Sequence, residues 1–349
     1  MEPVDAVKLV YQSEFGCGHL LALEEDCIAR IEAELKESTS QEEERPFTEI
    51  GSGLCRLNLR CPRVRNLSPR LIARMMIHTA QETQGNLASF LKKLDLLRAL
   101  CEEGTLPFSP DQLESYLCDY AGRGYPPVSH SPRYRAAYAP AYRVICRLYG
   151  ISLQVAEAVE QRLLQKGRVL LVLDGDCGAG KSTLAKALAP LWDASIIAMD
   201  DFFLPPARKT SERLATPGGN VDHERFRADV LEGLLAWQEG LSHEPYTYQA
   251  MDWHKGVCFS REVRPSSVVL IEGSYSQHPV FEDAYDRLRP VKVFLSVSRQ
   301  EQLRRLKARN PALFSRFQTE WIPLEKDYFR AYDIPEKSDI TLSTEEAWQ

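Results

Sequence analysis

The sequence contains no apolar run of the length that crosses a membrane and no excess of positive charge. Its 349 residues carry a net charge of −6. A transmembrane helix needs about 20 consecutive apolar residues, and nucleic acids and anionic membranes attract basic surfaces. We therefore expect no membrane and no nucleic acid as a partner. The sequence leaves the oligomeric state open.

Paired cysteines and a secretory signal are also lacking. The nine cysteines are scattered and never spaced as C-x-x-C, so neither a zinc site nor a disulfide framework is expected. The start, Met-Glu-Pro-Val-Asp, has neither the basic nor the apolar region of a signal peptide. These features predict a cytoplasmic protein with buried or free thiols.

The first part of the chain, residues 1–150, is predicted to be a mostly α-helical domain of unknown function. Ser-Pro pairs at Ser68 and Ser109 are typical helix starts. The glycines within Glu49–Arg56 predict a hairpin or a bulge. Apolar spacing over residues 133–149 predicts a further helix. No motif in this part indicates a ligand.

In the second part, residues 151–349, an amphipathic helix over 153–165 precedes alternating strand and helix signals. The predicted strands cover 167–174, 194–199, 266–271 and 291–297, and the predicted helices cover 182–191, 225–239 and 299–308. Such alternation predicts a parallel sheet flanked by helices. Ligands then bind at the carboxyl ends of the strands.

The first of these strands leads into a glycine-rich loop with the P-loop pattern G-x-x-x-x-G-K-S. In such a loop, backbone N–H groups and the helix start bind phosphates. Lys181 is expected to face solvent and to neutralise the β- and γ-phosphates, while Ser182 ligates Mg²⁺. The fold class is therefore α/β, a P-loop NTPase-type domain that binds nucleotide phosphates and Mg²⁺. The motif alone does not separate a kinase from an ATPase, a GTPase or a motor. The predicted nucleotide-binding residues are Gly175, Asp176, Cys177, Gly178, Ala179, Gly180, Lys181, Ser182 and Thr183.

Acidic residues follow the predicted strands and a turn-rich segment. Asp200 and Asp201 end the second strand, where carboxylates bind Mg²⁺ or take a proton from a substrate hydroxyl. The alternative is an acidic turn, with Asp201 as a helix cap. Asp222 is placed to cap the next helix, which does not exclude a ligand role. Glu272 ends an apolar strand at a Walker-B-like position, from which it reaches Mg²⁺ through water.

Two arginines, Arg305 and Arg309, lie one turn apart on a predicted helix. Two guanidinium groups on one helix face are suited to clamp a transferring phosphate. The alternative is a solvated basic helix face. Residues 246–263 contain aromatic residues that predict an irregular hairpin over the sheet edge.

Together these segments resemble the uridine kinase and phosphoribulokinase group of P-loop small-molecule kinases, over roughly residues 165–342. The matching segments are Gly175–Thr183, Asp200–Phe202, Asn220–His223, Ile271–Gly273 and the helix with Arg305 and Arg309. The segments Asp-Asp-Phe-Phe-Leu, Pro-Gly-Gly-Asn-Val-Asp, Glu-Gly-Ser-Tyr-Ser and Trp-Ile-Pro-Leu-Glu look most like a bacterial uridine kinase-like branch.

The resemblance implies roles for four of these residues. Asp200, from the D-x-F motif, would be the general base on the accepting hydroxyl. Asp222, from the motif N-F-D-H, would contact the ribose of a nucleoside. Arg305 and Arg309 would be the lid arginines.

Other positions on the substrate side depart from the family pattern. Phe203 stands where uridine kinases have a tyrosine. Tyr275, in the matching segment Glu-Gly-Ser-Tyr-Ser, is a further candidate on the substrate side. The Y-D-x-x-x-H-S-R stretch is not cleanly present, and Asp252 and His254 are its candidates. Kinase chemistry is thus better supported than uridine as the acceptor.

We therefore predict an ATP- and Mg²⁺-dependent kinase that phosphorylates a hydroxyl of a small molecule, with a nucleoside-like acceptor favoured. One alternative is a kinase of another small alcohol or of a phosphosugar. The other is a nucleotide-binding regulatory ATPase, which would have no need of Asp200.

Overall fold

The computed structural model describes residues 1–40, 45–242, 244–252 and 257–345. These residues belong to two compact units, Met1–Gly150 and Ile151–Gln349. Among the described helices, none combines the length and the apolar character that crossing a bilayer requires.

The first unit consists largely of helices. They are α1 (Pro3–Phe15), α2 (Glu24–Glu37), α3 (Pro62–Arg65), α4 (Pro69–Glu82), α5 (Leu87–Glu102), α6 (Pro110–Gly122), α7 (Pro132–Tyr138) and α8 (Arg147–Ile151). The side chain of Ser68 accepts a hydrogen bond from the N–H of Leu71, and Ser109 accepts one from Gln112. Both Ser-Pro helix starts are therefore confirmed, since each serine satisfies a backbone donor that the helix leaves free.

A three-stranded antiparallel sheet accompanies these helices. Its strands are β1 (Phe47–Gly51), β2 (Leu54–Asn58) and β3 (Tyr142–Cys146), with β2 in the middle. The hairpin predicted within Glu49–Arg56 is confirmed. The helix predicted over residues 133–149 is confirmed only as far as Tyr138, where α7 ends, and is wrong over β3. The chain leaves the helix at Ala139, which is left-handed with φ 38°, and Pro140 follows. Val144 and Ile145 then pair with β2, so strand pairing overrides the helical pattern.

The second unit alternates strands and helices. The strands are β4 (Val169–Gly175), β5 (Ser195–Ala198), β6 (Tyr246–Asp252), β7 (Val257–Val263), β8 (Val268–Glu272), β9 (Val291–Ser296) and β10 (Ile340–Ser343). The helices are α9 (Leu153–Lys166), α10 (Lys181–Leu188), α11 (Ser211–Ala215), α12 (His223–Phe226), α13 (Glu232–Gln238), α14 (Glu282–Leu288), α15 (Arg299–Arg309), α16 (Phe314–Arg316), α17 (Ile322–Tyr332) and α18 (Ile334–Lys337). Single π-helical turns, Arg227–Leu231 and Phe317–Trp321, connect α12 to α13 and α16 to α17.

Five strands form a parallel sheet in the order β10-β9-β4-β8-β5. Strand β4 is central and fully buried, because its apolar residues are covered by helices on both faces of the sheet. The predicted α/β fold with a parallel sheet is thus confirmed, while the edge strand β10 was not predicted. Strands β6 and β7 form the predicted hairpin, but its ladder from Tyr246 to Asp252 is regular, so the predicted irregularity is wrong for these strands. The carboxyl ends of β4, β8 and β5 lie side by side, and they position the residues described next.

Candidate functional site

The glycine-rich loop connects the central strand β4 to helix α10. Gly175 ends the strand with φ 137°, and a Cβ atom there would lie 2.1 Å from the carbonyl oxygen of Leu295 on β9. Gly180 precedes the helix in the left-handed region, with φ 92°. Only glycine fits the first position without displacing the sheet backbone, and it is strongly favoured at the second.

Lys181 is the first residue of α10, and its side chain is buried rather than facing solvent as predicted. Its Nζ donates hydrogen bonds to the carbonyl oxygens of Gly175 at 2.6 Å and Asp176 at 3.2 Å. Burial lowers the pKa of Lys181, but the charges of nearby carboxylates outweigh burial and raise the pKa overall. Lys181 is therefore held in its charged form within the loop.

Ser182 and Glu272 form the candidate metal site. The Oγ of Ser182 donates a hydrogen bond to Glu272 Oε2 at 3.0 Å. Burial raises the pKa of Glu272 to about 7, the charge of Asp200 adds to this effect, and Lys181 opposes it. Hydroxyl and carboxylate oxygens are ligands that Mg²⁺ accepts, and Mg²⁺ commonly uses one or two protein groups together with substrate phosphates and water. The residue pair fits such an ion.

The two adjacent acids after β5 have different surroundings. Asp200 is exposed at the carboxyl edge of the sheet. Desolvation by the surrounding protein raises the pKa of Asp200, the charge of Asp201 adds to this, and Lys181 and Arg309 oppose it. The side chain of Asp201 is buried, and it accepts a hydrogen bond from Tyr248 at 2.8 Å. It also pairs with Arg261 Nε at 2.7 Å, so Asp201 anchors the β6–β7 hairpin instead of capping a helix.

Arg305 and Arg309 lie on α15 as predicted, but their environments differ. The guanidinium of Arg305 donates to Glu301 at 2.7 Å and to the carbonyl oxygens of Thr344 at 2.7 Å and Glu345 at 3.0 Å. These contacts hold Arg305 at the end of β10, and its Nη1 also lies 3.4 Å from the carbonyl oxygen of Gly178 in the glycine-rich loop. Its assignment as a phosphate clamp stays a prediction. Arg309 is exposed, and its charge acts on Asp200. Arg309 therefore remains the candidate lid residue.

Three residues with expected substrate roles are described with their side chains. Asp222 caps α12 as predicted, because it accepts a hydrogen bond from the N–H of Arg225 at 3.3 Å. Its carboxylate is buried and also pairs with Arg208. The ring of Phe203 lies 6.3 Å from the ring of Tyr275, edge to face. Tyr275 is buried and has φ 72°, which is unusual for a residue other than glycine and marks a strained backbone.

The candidates on the β6–β7 hairpin are not described in the same detail. Asp252 is the last residue of β6, and its side chain lies outside the described part of the chain. His254 also lies outside the described residues.

Sequence reasoning missed two buried carboxylates beside the loop. Asp174 accepts hydrogen bonds from the N–H of Gly175 at 2.7 Å and from the hydroxyl of Tyr328 at 2.9 Å, and burial raises its pKa to about 6. Glu325 accepts one from the N–H of Cys177 at 2.9 Å and another from Ser274. Asp174 could have been found from the sequence, because it is a charged residue at the end of an apolar strand. Glu325 belongs to the segment Trp-Ile-Pro-Leu-Glu, which resembles the uridine kinase-like branch but had no role predicted for it.

The side chain of Asp176 is buried and contacts groups outside the loop. It accepts hydrogen bonds from Lys326 at 2.8 Å and from the N–H of Val297 at 3.2 Å. Asp176 thereby fastens the loop to α17 and to the end of β9. Its backbone N–H also donates a hydrogen bond, to the carbonyl oxygen of Leu295 at 2.9 Å.

These features define the second unit as a P-loop α/β fold, with the phosphate-binding loop between β4 and α10. A search of solved structures aligns the chain with a possible uridine kinase from Bacillus stearothermophilus, at 17% sequence identity and a TM-score of 0.37. The alignment covers 54% of this chain and 99% of that one. Similarity at this level carries no argument about activity. No protein-family model and no curated protein sequence matches the chain.

Proposed function

We propose that the second unit is an ATP- and Mg²⁺-dependent kinase that transfers the γ-phosphate to a hydroxyl of a small molecule. The observation that carries the proposal is the exposed carboxylate of Asp200, close enough to Lys181 and Arg309 for their charges to act on its pKa. A general base must reach the hydroxyl that it deprotonates. A nucleotide switch has no use for such a group, so Asp200 favours phosphoryl transfer over a regulatory ATPase.

In this proposal, the protein mainly positions the reactants and neutralises charge. The loop amides and Lys181 hold the phosphates, and Ser182 with Glu272 holds Mg²⁺, which supplies positive charge at the phosphates. Asp200 accepts the proton of the attacking hydroxyl. Arg309 neutralises the negative charge that develops on the transferring phosphoryl group, since a guanidinium forms paired hydrogen bonds with phosphate oxygens.

We further propose a nucleoside as the favoured acceptor. Support comes from Phe203 and Tyr275, whose rings meet near the site, and from the family pattern at Asp222. Because Asp222 is paired with Arg208, ribose hydroxyls would compete with that guanidinium for the carboxylate. Another small alcohol or a phosphosugar remains the alternative acceptor. All nine cysteines are free thiols, which suits the proposed cytoplasmic location.

The test measures ATP consumption with a panel of nucleosides, sugar phosphates and pantothenate-like alcohols, followed by mass spectrometry of the products. The expected result is one acceptor class gaining a single phosphate, with nucleosides first. Asp200→Asn should abolish most of this transfer. ATP hydrolysis that is independent of every acceptor, and unchanged in Asp200→Asn, would favour the regulatory ATPase instead.

A further inference from the structure

Helix α5 in the first unit carries apolar side chains on its solvent side as well as on its core side. The core side holds the buried residues Phe90, Leu94, Leu97 and Cys101. The solvent side holds four leucines that are 36–61% exposed, Leu87, Leu91, Leu96 and Leu100. A surface helix is normally polar on its solvent side, and the adjoining helix α6 follows this rule, since both of its leucines are buried. The solvent side of α5 is therefore an exposed apolar surface of the kind that marks a binding site.

The solvent side of α5 is arranged around a central line of residues. These residues follow one another at spacings of four, three and four positions, which places them above one another along the helix. They are all exposed, and they are Ala88, Lys92, Asp95 and Ala99. At about 100° per residue, the four exposed leucines border this line in pairs. Leu87 and Leu91 lie on one side of it, and Leu96 and Leu100 lie on the other.

This arrangement is the same when it is read from either end of the helix. Its midpoint lies between Lys93 and Leu94. Counting outward from the midpoint pairs Lys92 with Asp95, Leu91 with Leu96, Ala88 with Ala99, and Leu87 with Leu100. Three of these four pairs consist of identical residues, and the fourth consists of opposite charges. The solvent side of α5 is therefore complementary to a second copy of itself.

Two-fold symmetry makes use of such a pattern, because the same surface of both copies then forms the interface. When two copies of α5 lie antiparallel around an axis at the midpoint, each residue lies level with its counterpart on the other copy. Leucine then meets leucine at four levels. Alanine meets alanine, and such small residues allow two helices to approach closely. Lys92 of each copy meets Asp95 of the other.

The charges favour the antiparallel arrangement over a parallel one. In a parallel dimer each residue would lie level with its own copy, so Lys92 would meet Lys92 and Asp95 would meet Asp95. Asp95 Oδ1 already accepts a hydrogen bond from Arg98 on the same helix at 2.7 Å, which leaves Oδ2 for a second cation. Exposed ion pairs contribute little free energy each. Their main effect here is to select the orientation of the partner.

We propose that the solvent side of α5 binds the same surface of a second copy of this chain, in an antiparallel two-fold dimer. We call the four central residues and the four exposed leucines the α5 face. Helix α5 has 16 residues and is about 24 Å long, so one helix from each copy forms an interface below the usual size of about 1,600 Å². We therefore expect a weak dimer, with a dissociation constant on the order of 10 µM. The proposal is independent of the kinase activity.

The test is sedimentation equilibrium of the full-length chain at concentrations from about 1 to 200 µM, which shift a monomer–dimer equilibrium by mass action. Leu96→Gln should weaken the dimer at least about tenfold, because it removes apolar area from both halves of the interface. Leu164→Gln is the matched control, because Leu164 is also exposed but lies on α9. A chain that stays monomeric would overturn the proposal in favour of a different partner for the α5 face. A dimer that Leu96→Gln leaves unchanged would overturn it in favour of a different interface.

A charge exchange tests the antiparallel pairing itself. Lys92→Glu and Asp95→Lys should each weaken the dimer about fivefold, since each substitution places like charges opposite one another. An equimolar mixture of the two variants should form a heterodimer with about the affinity of the unchanged chain, because every charge again meets its opposite. Both positions are exposed, and circular dichroism checks that the helices are retained. A mixture that associates no better than the separate variants would overturn the proposed dimer.

Discussion

The carboxylate of Glu325 accepts a hydrogen bond from the backbone N–H of Cys177 at 2.9 Å, which joins helix α17 to the phosphate-binding loop. The same carboxylate accepts from Ser274 and is the strongest of the charges that raise the pKa of Lys181. Glu325 therefore balances a buried cation and satisfies a loop donor at once.

Replacing Glu325 should destabilise the second unit. In Glu325→Ala, Lys181, the Cys177 N–H and the Ser274 hydroxyl lose their shared partner, so the free energy of unfolding should fall by about 1–3 kcal/mol. Urea unfolding followed by circular dichroism measures the change. Glu320→Ala is the matched control, because Glu320 forms an exposed ion pair with Arg316 and should matter far less. Equal losses in both variants would show that the contact to the loop has no special importance.

Lys181→Met should lower both activity and stability. Transfer should fall by at least about 10²–10³-fold because the phosphate charge is no longer compensated. Since Lys181 is buried among carboxylates, the free protein should also lose about 1–3 kcal/mol of stability. Steady-state kinetics and urea unfolding measure the two effects. Lys186→Met on the same helix is the control. An inactive variant of unchanged stability would mean that the positive charge of Lys181 does not stabilise the buried carboxylates around it.

Asp200→Asn and Asp201→Asn should affect different properties. Asp200→Asn should reduce turnover by about 10²–10⁴-fold, as for a lost general base. Its nucleotide affinity should change little, because the loop holds the phosphates. Asp201→Asn should mainly reduce stability, since Tyr248 and Arg261 lose a charged partner. Calorimetry with nucleotide and turnover assays separate the two. If Asp201→Asn is the inactive variant, the base is misassigned by one residue; joint loss of nucleotide binding would indicate a metal site.

Stability of the first unit should fall in mild acid because of His130. Burial lowers its pKa to about 4, whereas the unfolded chain has an ordinary value of about 6.5. Between these values only the unfolded state gains the proton, so each pH unit below 6.5 should cost about 1.4 kcal/mol. His130→Gln should show a shallower loss in urea unfolding between pH 7 and 4.5. Parallel pH dependences in the two proteins would contradict this account.

Residues 1–150 should fold when expressed alone, as a mostly helical domain. The unit has its own buried cluster, which includes Phe90, Leu94 and Tyr120. Limited proteolysis of the full chain should cut at Arg123, in the segment after α6, and should spare α9, which is amphipathic. Early cleavage within residues 153–165, or an unfolded fragment by circular dichroism, would count against a separable domain.

The parts of the fold set by local pattern were predictable, and those set by distant partners were not. Alternating strand and helix signals gave the parallel sheet, and the loop motif gave the position of Ser182. The strand β3 was missed because pairing with β2, far away in the chain, decides its structure.

Within the candidate site, spacing placed Arg305 and Arg309 correctly on one helix. It contained no information that Thr344, at the other end of the unit, would engage Arg305. In the same way, the motif indicated Lys181 but neither its burial nor the charge of Glu325 that acts on it. The sequence therefore identified side chains that lie near the site. It did not show which of them are already engaged by distant parts of the chain.

Helix α17 holds the loop at three successive places. The contacts are Tyr328 with Asp174, Lys326 with Asp176, and Glu325 with Cys177. Fixing the backbone of one residue costs about 1–2 kcal/mol of conformational entropy. These contacts form when the protein folds, so the loop has already lost this freedom before any ligand binds. A phosphate bound there, as proposed, would lose less of its binding free energy to ordering the protein.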